Sequence, residues 1–261
     1  MGYARYVAIG DSQTEGIGDP DGDGGWRGFA DRLADRLAAS TPGLHYANLA
    51  VRGKLARQVR EEQLDAALTL RPDLVTVVAG MNDLIRPSFS AEAVVSELDG
   101  MFAELTAAGA RVASLTFPDL TRLSPLLRPL RHRVLDLNAG IRTSAARHGV
   151  MLVETFGYSV ITDPRLWSPD RLHASPLGHA RLAAAFAEVL ALPDSDNAWT
   201  KPLPGARRPT AVRTVAKEVR WLTSFAVPWL YRRLRRRSTG EHLTPKRPTL
   251  VPVNPPASEP A

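Results

Sequence analysis

The stretch YARYVAIGDSQTEG, residues 3–16, contains the change of pattern on which the fold prediction depends. Tyr3–Ile9 is a short and nearly continuous apolar run, which is typical of a strand covered on both faces. The turn-forming residues Gly10 and Asp11 and the hydroxyl of Ser12 follow it directly. A strand that ends here presents Ser12 at the edge of a sheet, where functional residues are often carried.

Similar apolar segments recur four more times, and helical patterns separate them. The further predicted strands are His45–Leu49, Leu74–Ala79, Arg111–Thr116 and Val150–Val153. The predicted helices are Trp26–Ala39, Leu55–Leu70, Ala91–Ala108, Pro125–His148 and Pro176–Leu190. Because a parallel crossover needs a covering helix, this alternation favours an open parallel sheet with helices on both faces. Five strands are too few for a (β/α)₈ barrel, so we predict an α/β fold with a five-stranded parallel sheet.

Polar motifs follow the first three predicted strands. They are GDSQTEG at 10–16, NLAVRG at 48–53 and GMND at 80–83. The carboxyl ends of parallel strands lie at the same edge of a sheet, and ligands of open α/β folds bind there. We therefore expect the three motifs to form one site.

A serine hydroxyl becomes a good nucleophile only when a base removes its proton. The best candidate for that base is His173, in DRLH at 170–173, with Asp170 placed to orient the imidazole. Taken singly, Gly-Asp-Ser is equally typical of an ordinary turn, and Asp-x-x-His is more often a surface pair. His179 falls within the next helical pattern, where we expect a structural hydrogen bond.

Two further residues have the chemistry of oxyanion donors. The Asn82 amide can donate to developing negative charge, and Gly53 can offer a backbone N–H with no side chain in the way; the N–H of Ser12 completes the set. The alternatives are that Asn82 caps the next helix and that Gly53 is a turn glycine. We interpret Asp11 and Asp83 as hydrogen-bond partners that shape their turns.

In this order, the four blocks resemble those of the GDSL-type, or SGNH, serine hydrolases. The matching residues are Gly10-Asp11-Ser12, Gly53, Gly80-Met81-Asn82-Asp83 and Asp170-Arg171-Leu172-His173. The resemblance covers about residues 4–192. It implies a flavodoxin-like, three-layer α/β/α fold.

The resemblance also implies roles for the site residues. Ser12 is the expected nucleophile, His173 the base and Asp170 its orienting partner, with Ser12, Gly53 and Asn82 as oxyanion donors. The implied reaction needs no metal and no organic cofactor. Gln13 stands where many members have Leu, and we expect it to tune the site without carrying chemistry.

An Asp-rich segment imitates part of a calcium loop. Asp19, Asp21 and Asp23, followed by Gly24, repeat the first half of an EF-hand. The twelfth position, which needs a bidentate glutamate, is Ala30. We therefore predict a flexible loop beside the site and no metal site.

The basic charge of the chain is concentrated at its C-terminal end. Residues 198–261 contain 13 Lys and Arg against 3 Asp and Glu, whereas residues 1–197 contain 20 and 24. We predict a hydrolase domain over 1–192, a Pro-rich linker over 193–210, a basic amphipathic helical extension over 211–239 and a flexible Pro-rich tail over 240–261.

The basic extension has three interpretations. Its aromatic residues Trp221, Phe225 and Trp229 lie among arginines. The interpretation we favour is packing on the catalytic domain or on a partner protein. The second is binding to an anionic membrane surface through residues 211–237. The third, nucleic-acid binding, is disfavoured because no reading motif accompanies the basic residues.

The N-terminal sequence has no charged segment followed by a long apolar one, and the chain contains no cysteine. We therefore expect a cytoplasmic protein, with peripheral membrane contact as the variant interpretation. The predicted function is a serine esterase that cleaves a small-molecule carboxylic ester through an acyl-enzyme on Ser12. The alternatives are a carbohydrate O-deacetylase, an acyltransferase, or an inactive domain whose basic tail binds a membrane or partner.

Overall fold

The structure is a computed structural model, and it describes residues 2–205, 221, 223 and 243–253. The strands are β1 Arg5–Gly10, β2 His45–Asn48, β3 Leu74–Val78, β4 Arg111–Leu115, β5 Met151–Val153 and β6 Arg247–Pro252. They form one sheet in the order β5-β4-β3-β1-β2-β6. Strands β1 to β5 are parallel, and β6 pairs antiparallel with β2 at the edge.

The order of the parallel strands is the flavodoxin-like one, in which the direction of winding reverses between β1 and β3. Strand β1 pairs with both β2 and β3, and residues 6–10 are buried. The structure thus confirms the prediction that the first apolar run is a strand covered on both faces. It also places the residues after β1 at the switch point, where such folds bind ligands.

Seven helices lie between the strands in the described part of the chain. They are α1 Ser12–Glu15, α2 Gly28–Ser40, α3 Ala56–Thr69, α4 Met81–Leu84, α5 Ala91–Ala107, α6 Arg131–His148 and α7 Pro176–Val189. Helix α2 packs against α7, while α5 packs against both α3 and α6. The predicted three-layer α/β/α arrangement is therefore confirmed. No helix among the described residues is long and apolar enough to cross a bilayer.

The predicted helix over Pro125–His148 is wrong at its beginning. Pro125–Leu130 forms 3₁₀ turns, and the α-helix begins only at Arg131. Pro129 explains the difference, because proline has no N–H to donate and its ring disfavours a helical residue before it.

The predicted parallel sheet of five strands is confirmed by β1 to β5, but the sheet has a sixth strand: Arg247–Pro252, within the predicted flexible tail over 240–261, forms β6. The strand is mostly exposed and contains two prolines, so it has neither the apolar run nor the clean alternation by which a strand is predicted. Proline is tolerated in edge strands, where one side of the backbone needs no partner. Lys246 fixes the approach to β6 by an ion pair with Asp31 on α2.

Part of the predicted linker over 193–210 packs on α7. A 3₁₀ turn spans Asn197–Thr200, and the indole of Trp199 is buried and donates a hydrogen bond to Glu188 on α7. Apolar contact with α7 therefore outweighs the proline-rich composition here. The predicted basic helix over 211–239 lies outside the described residues except for Trp221 and Thr223.

Candidate active site

The GDS turn, residues 10–16, begins where β1 ends at the centre of the sheet. Gly10 has a φ of +153°, and a Cβ there would lie less than 3.0 Å from the carbonyl oxygen of Val78 on β3. Only glycine fits this position without displacement. The Asp11 carboxylate caps helix α1 by accepting from the N–H of Gln13, and Ser12 is the first residue of that helix.

The structure brings Ser12, His173 and Asp170 into one chain of hydrogen bonds. The Nε2 atom of His173 lies 3.0 Å from the Oγ of Ser12, and Nδ1 lies 2.7 Å from Oδ2 of Asp170. A carboxylate only accepts, so Nδ1 carries the proton and Nε2 is left to accept from the serine hydroxyl. These are the contacts that a nucleophile, its base and an orienting acid need.

The Asp170 carboxyl is held in its charged form. Burial by itself raises the pKa of this group, but the hydrogen bond and the charge of His173 oppose burial. The backbone N–H groups of Leu172 and His173, which donate to Oδ1, oppose it further. The net effect lowers the pKa below its ordinary value. An ionised Asp170 can therefore accept from His173 at neutral pH.

The DRLH loop, residues 167–174, has no regular secondary structure. Trp167 and Ala174 form an isolated antiparallel bridge, and the N–H of Ser168 donates to the carbonyl of His173 at 2.8 Å. Arg171 has a φ of +57°, a left-handed conformation that is uncommon for residues other than glycine. The loop therefore depends on contacts from other parts of the chain.

Gln13 is one of the residues that hold the DRLH loop. Its Nε2 donates to the carbonyl of Leu172 at 2.8 Å, and its Oε1 accepts from the N–H of Ala174 at 3.3 Å. The amide thus contacts the peptide groups on both sides of His173. Sequence reasoning missed this bridge. The available signal was that Gln13 stands where many members of the GDSL-type family have Leu.

Trp221 contacts the same loop from the predicted basic extension. Its indole N–H donates to the carbonyl of Asp170 at 2.8 Å, and the Arg171 guanidinium lies over its ring at 5.0 Å. The side chain is largely buried. This contact places one residue of the predicted extension, Trp221, against the DRLH loop.

Asn82 joins the other two motifs. Its Nδ2 donates to Oδ2 of Asp11 and to the carbonyl of Lys54, both at 3.1 Å. Asp11 precedes Ser12 and Lys54 follows Gly53, so one amide brings all three predicted oxyanion donors to the same rim. Within the described residues, no acceptor pairs with the backbone N–H of Ser12 or of Gly53.

The turn that carries Gly53 is tied to the GDS turn by an ion pair. The Glu15 carboxylate accepts from the backbone N–H of Arg52 at 2.7 Å and from the Arg52 guanidinium. Gly53 has a φ of +81°, which glycine adopts without strain. The alternative that Gly53 is a turn glycine is thus correct as local structure, and it is compatible with a donor role.

The two acidic residues beside the motifs have the local contacts that the sequence predicts. Asp83 accepts from the N–H of Ala56 at 3.0 Å, which helps to begin α3. Asp11 accepts from Gln13 and Asn82, and its burial raises its pKa to about 7. Burial thus opposes the charged form of the group that holds Asn82.

His179 and the Asp-rich loop have structural contacts. The His179 ring accepts from the N–H of Phe29 and donates to the carbonyl of Ile17, and burial lowers its pKa to about 4. Asp19 is buried and pairs through both carboxylate oxygens with Arg32. In the described part of the chain, no group of acidic or histidine side chains is arranged to hold a metal ion.

Comparisons with known proteins give one family match. The model of the GDSL-like lipase/acylhydrolase family matches residues 8–181. No curated protein matches the chain.

Two solved structures illustrate the similarity in fold. LAE5, an alpha/beta hydrolase from the metagenome of Lake Arreo in Spain, has 24% identity and a TM-score of 0.61, over 74% of this chain and 97% of its own. A catalytic mutant of Axe2, an acetylxylan esterase from Geobacillus stearothermophilus, has 18% identity and a TM-score of 0.63, over 78% of this chain and 99% of its own.

Proposed function

The chain belongs to the GDSL-like lipase/acylhydrolase family of ester-cleaving hydrolases, and from this premise we propose that it is a serine esterase acting through an acyl-enzyme on Ser12. The observation that carries the proposal is the unbroken chain of contacts from Ser12 Oγ through His173 to Asp170. The described residues offer no other serine in such an arrangement with a histidine and a carboxylate.

In the proposed mechanism, Nε2 of His173 removes the hydroxyl proton of Ser12 as Oγ attacks the carbonyl carbon of the ester. A bond forms between Oγ and that carbon, and the carbonyl oxygen takes the negative charge. The alcohol then leaves with the proton held by His173. A water molecule, deprotonated by the same nitrogen, attacks the acyl-enzyme and releases the acid.

The negative oxygen needs hydrogen-bond donors that are already in place. The N–H groups of Ser12 and Gly53 can serve directly. The Asn82 amide already donates to Asp11 and Lys54, so it must share or exchange one of these acceptors when the oxyanion forms. Its bonds to the residues next to Ser12 and Gly53 support its proposed role as the third donor.

Catalytic mutants of Axe2 support these roles. In these mutants a serine, an aspartate or a histidine is changed, and the last two lie three residues apart. Asp170 and His173 have the same spacing. The likeness in fold lets us carry these roles to the present chain as part of the proposal.

The test is hydrolysis of a short p-nitrophenyl ester by Ser12→Ala and by Ser40→Ala. Ser40 is an exposed serine at the end of α2, outside all four motifs, and serves as the matched control. We expect Ser12→Ala to lose at least about 10³-fold in kcat, and Ser40→Ala to keep full activity. Full activity in Ser12→Ala with an unchanged fold would rule out the mechanism.

A carbohydrate O-deacetylase is the second candidate, because several of the similar structures are acetylxylan esterases. The same three residues would then release acetate from a sugar hydroxyl. The ratio of kcat/KM on acetylated xylooligosaccharides to that on aryl esters separates the candidates. An acyltransferase would be recognised by an added alcohol that competes with water for the acyl group.

A further inference from the structure

We propose that Gln63 is a positioning residue for the esterase reaction, because its buried amide holds the backbone at Gly10 and thereby fixes the position of Ser12. This inference rests on the proposed esterase function and extends it to a residue outside all four motifs. Gln63 acts through the backbone that precedes the nucleophile.

The side chain of Gln63 bonds to both backbone groups of Gly10. Its Oε1 accepts from the N–H of Gly10 at 2.8 Å, and its Nε2 donates to the carbonyl of Gly10 at 2.9 Å. The residue lies on α3 and is only 3% exposed. A primary amide has an acceptor and a donor side by side, as a residue of a neighbouring strand has. The amide therefore pairs with β1 in the way that a strand would.

The sheet leaves these two backbone groups of Gly10 without a strand partner. The register of β1 with β3 continues to Gly10, whereas its register with β2 ends at Ala8. The carbonyl of Ala8 accepts from the N–H of Leu49 on the β2 side. Because alternate residues of a strand direct their backbone groups to the same side, those of Gly10 point past the end of β2. Gln63 fills this place, and without it two buried polar groups would lose their partners.

Holding Gly10 restrains the residues that follow it. Its N–H and its carbonyl belong to the peptide groups on either side of its Cα, so one amide fixes both. Glycine has the widest backbone freedom of all residues, and this position needs an outside restraint. Rotation there would move the Asp11 carboxylate and the Oγ of Ser12, which lies 3.0 Å from Nε2 of His173. Asp11 in turn accepts from the proposed oxyanion donor Asn82.

The same helix is also fixed on the oxyanion side. Helix α3 begins at Ala56, three residues after Gly53, and the N–H of Ala56 donates to Asp83 at 3.0 Å. Asp83 directly follows Asn82. One buried helix thus connects the backbone before Ser12 to the two turns that carry the other proposed donors. A side chain of this helix can therefore set the nucleophile relative to the oxyanion donors.

The test is Gln63→Met, which nearly keeps the size of the side chain and removes both hydrogen bonds. Hydrolysis of p-nitrophenyl acetate is measured, and chemical denaturation gives the folded fraction under the assay conditions. We expect kcat per folded molecule to fall about 10- to 100-fold, because a small misplacement of a reacting group reduces the rate steeply. KM should stay within about threefold of the parent value, because Gln63 acts on the nucleophile and not on the bound ester.

Asn138 on α6 offers a matched control. Its buried amide makes the same two bonds, both at 2.8 Å, to the backbone of Phe117, which follows β4. Asn138→Leu should lower the unfolding free energy about as much as Gln63→Met, while kcat per folded molecule stays within about threefold of the parent. A kcat within threefold of the parent in Gln63→Met, or an equal fall in both variants, would overturn the proposal.

Gln63→Glu tests the hydrogen bonds themselves, and it serves also where Gln63→Met does not fold. A protonated carboxyl can accept from the N–H and donate to the carbonyl of Gly10, whereas a carboxylate can only accept. Burial raises the pKa of such a carboxyl. We expect the ratio of variant to parent kcat to lie within about threefold of one at pH 5.5 and to fall toward pH 8.5. A ratio below about one tenth at pH 5.5 would overturn the proposal.

Failure of the esterase proposal looks different from failure of this inference. In the first case the parent protein cleaves no ester. In the second case the parent is active, and its kcat does not depend on the hydrogen bonds between Gln63 and Gly10.

Discussion

The GDS turn and the DRLH loop face each other across the proposed active site, and they are held in place by different means. The GDS turn continues directly from β1, the strand between β2 and β3, and a backbone contact with Val78 leaves room only for glycine at position 10. The DRLH loop follows short 3₁₀ turns and is held by Gln13, by Trp221 and by its own internal hydrogen bonds. One segment is fixed by the fold, the other by side chains.

This difference predicts two kinds of mutational effect. A change that disturbs the GDS turn should reduce stability and activity together, because the turn is continuous with the core. A change that loosens the DRLH loop should reduce kcat and leave the unfolding free energy nearly the same, because few buried apolar groups depend on the loop.

Gly10→Ala should have the largest effect. The new Cβ would overlap the carbonyl of Val78, so we expect the unfolding free energy to fall by about 3 kcal/mol or more and hydrolysis to be lost. Gly22→Ala is the control, since Gly22 also has a positive φ, of +96°, but has open space where the Cβ would go. It should cost about 1–2 kcal/mol. Equal losses in chemical denaturation would contradict the role given to the Val78 contact.

Asp170→Asn should lower kcat by about 10³- to 10⁴-fold, because an amide that donates to Nδ1 leaves His173 in the wrong tautomer. The melting temperature should change little. Asp65→Asn, an exposed position on α3, makes the same change away from the site and should keep full activity. A kcat for Asp170→Asn within tenfold of the parent would show that Asp170 does not orient the base.

Gln13→Leu should lower kcat about tenfold with little change in KM, because both hydrogen bonds beside His173 are lost while the volume is kept. Gln13→Glu keeps an acceptor for Ala174 but faces the carbonyl of Leu172 with a second oxygen, so it should lose more than Gln13→Leu. The pH profile of kcat/KM should shift in both variants. Unchanged profiles and rates would show that the amide contacts do not position His173.

Trp221→Phe should have the smallest effect, a loss of about threefold in kcat. Phenylalanine keeps a ring beneath Arg171 but has no N–H for the carbonyl of Asp170. Trp221→Leu removes both contacts and should cost about three times more than Trp221→Phe. Equal rates for the parent and both variants would show that the contacts of Trp221 do not affect catalysis.

The parallel sheet and the position of Ser12 could be predicted from sequence because each rests on a local pattern. The run before Gly10 is apolar and continuous, and parallel connections bring the ends of β1, β2 and β3 to one edge. The meeting of Ser12 and His173, which lie 161 positions apart, is only weakly indicated by the Asp170-x-x-His173 pattern and is more strongly supported by the resemblance.

What could not be predicted depends on long-range contacts that leave no periodic signal. Strand β6 is an exposed edge strand with prolines, and its pairing with β2 joins residues about 200 positions apart. The contact of Trp221 with the carbonyl of Asp170 joins a single side chain to a loop 51 positions away, and no sequence pattern indicates it. The Gln13 bridge could not be predicted for the same reason, because its partners Leu172 and Ala174 are distant in the sequence.

The central claim is that Ser12 Oγ is the atom that becomes acylated, with His173 as its base. The most direct test is reaction with diethyl p-nitrophenyl phosphate, which phosphorylates activated serines, followed by peptide mass analysis. We predict one diethylphosphoryl group on the peptide that contains Ser12 in the parent and in Ser40→Ala, and none in Ser12→Ala or His173→Ala. Labelling of another residue in the parent, or undiminished labelling of His173→Ala, would contradict the account.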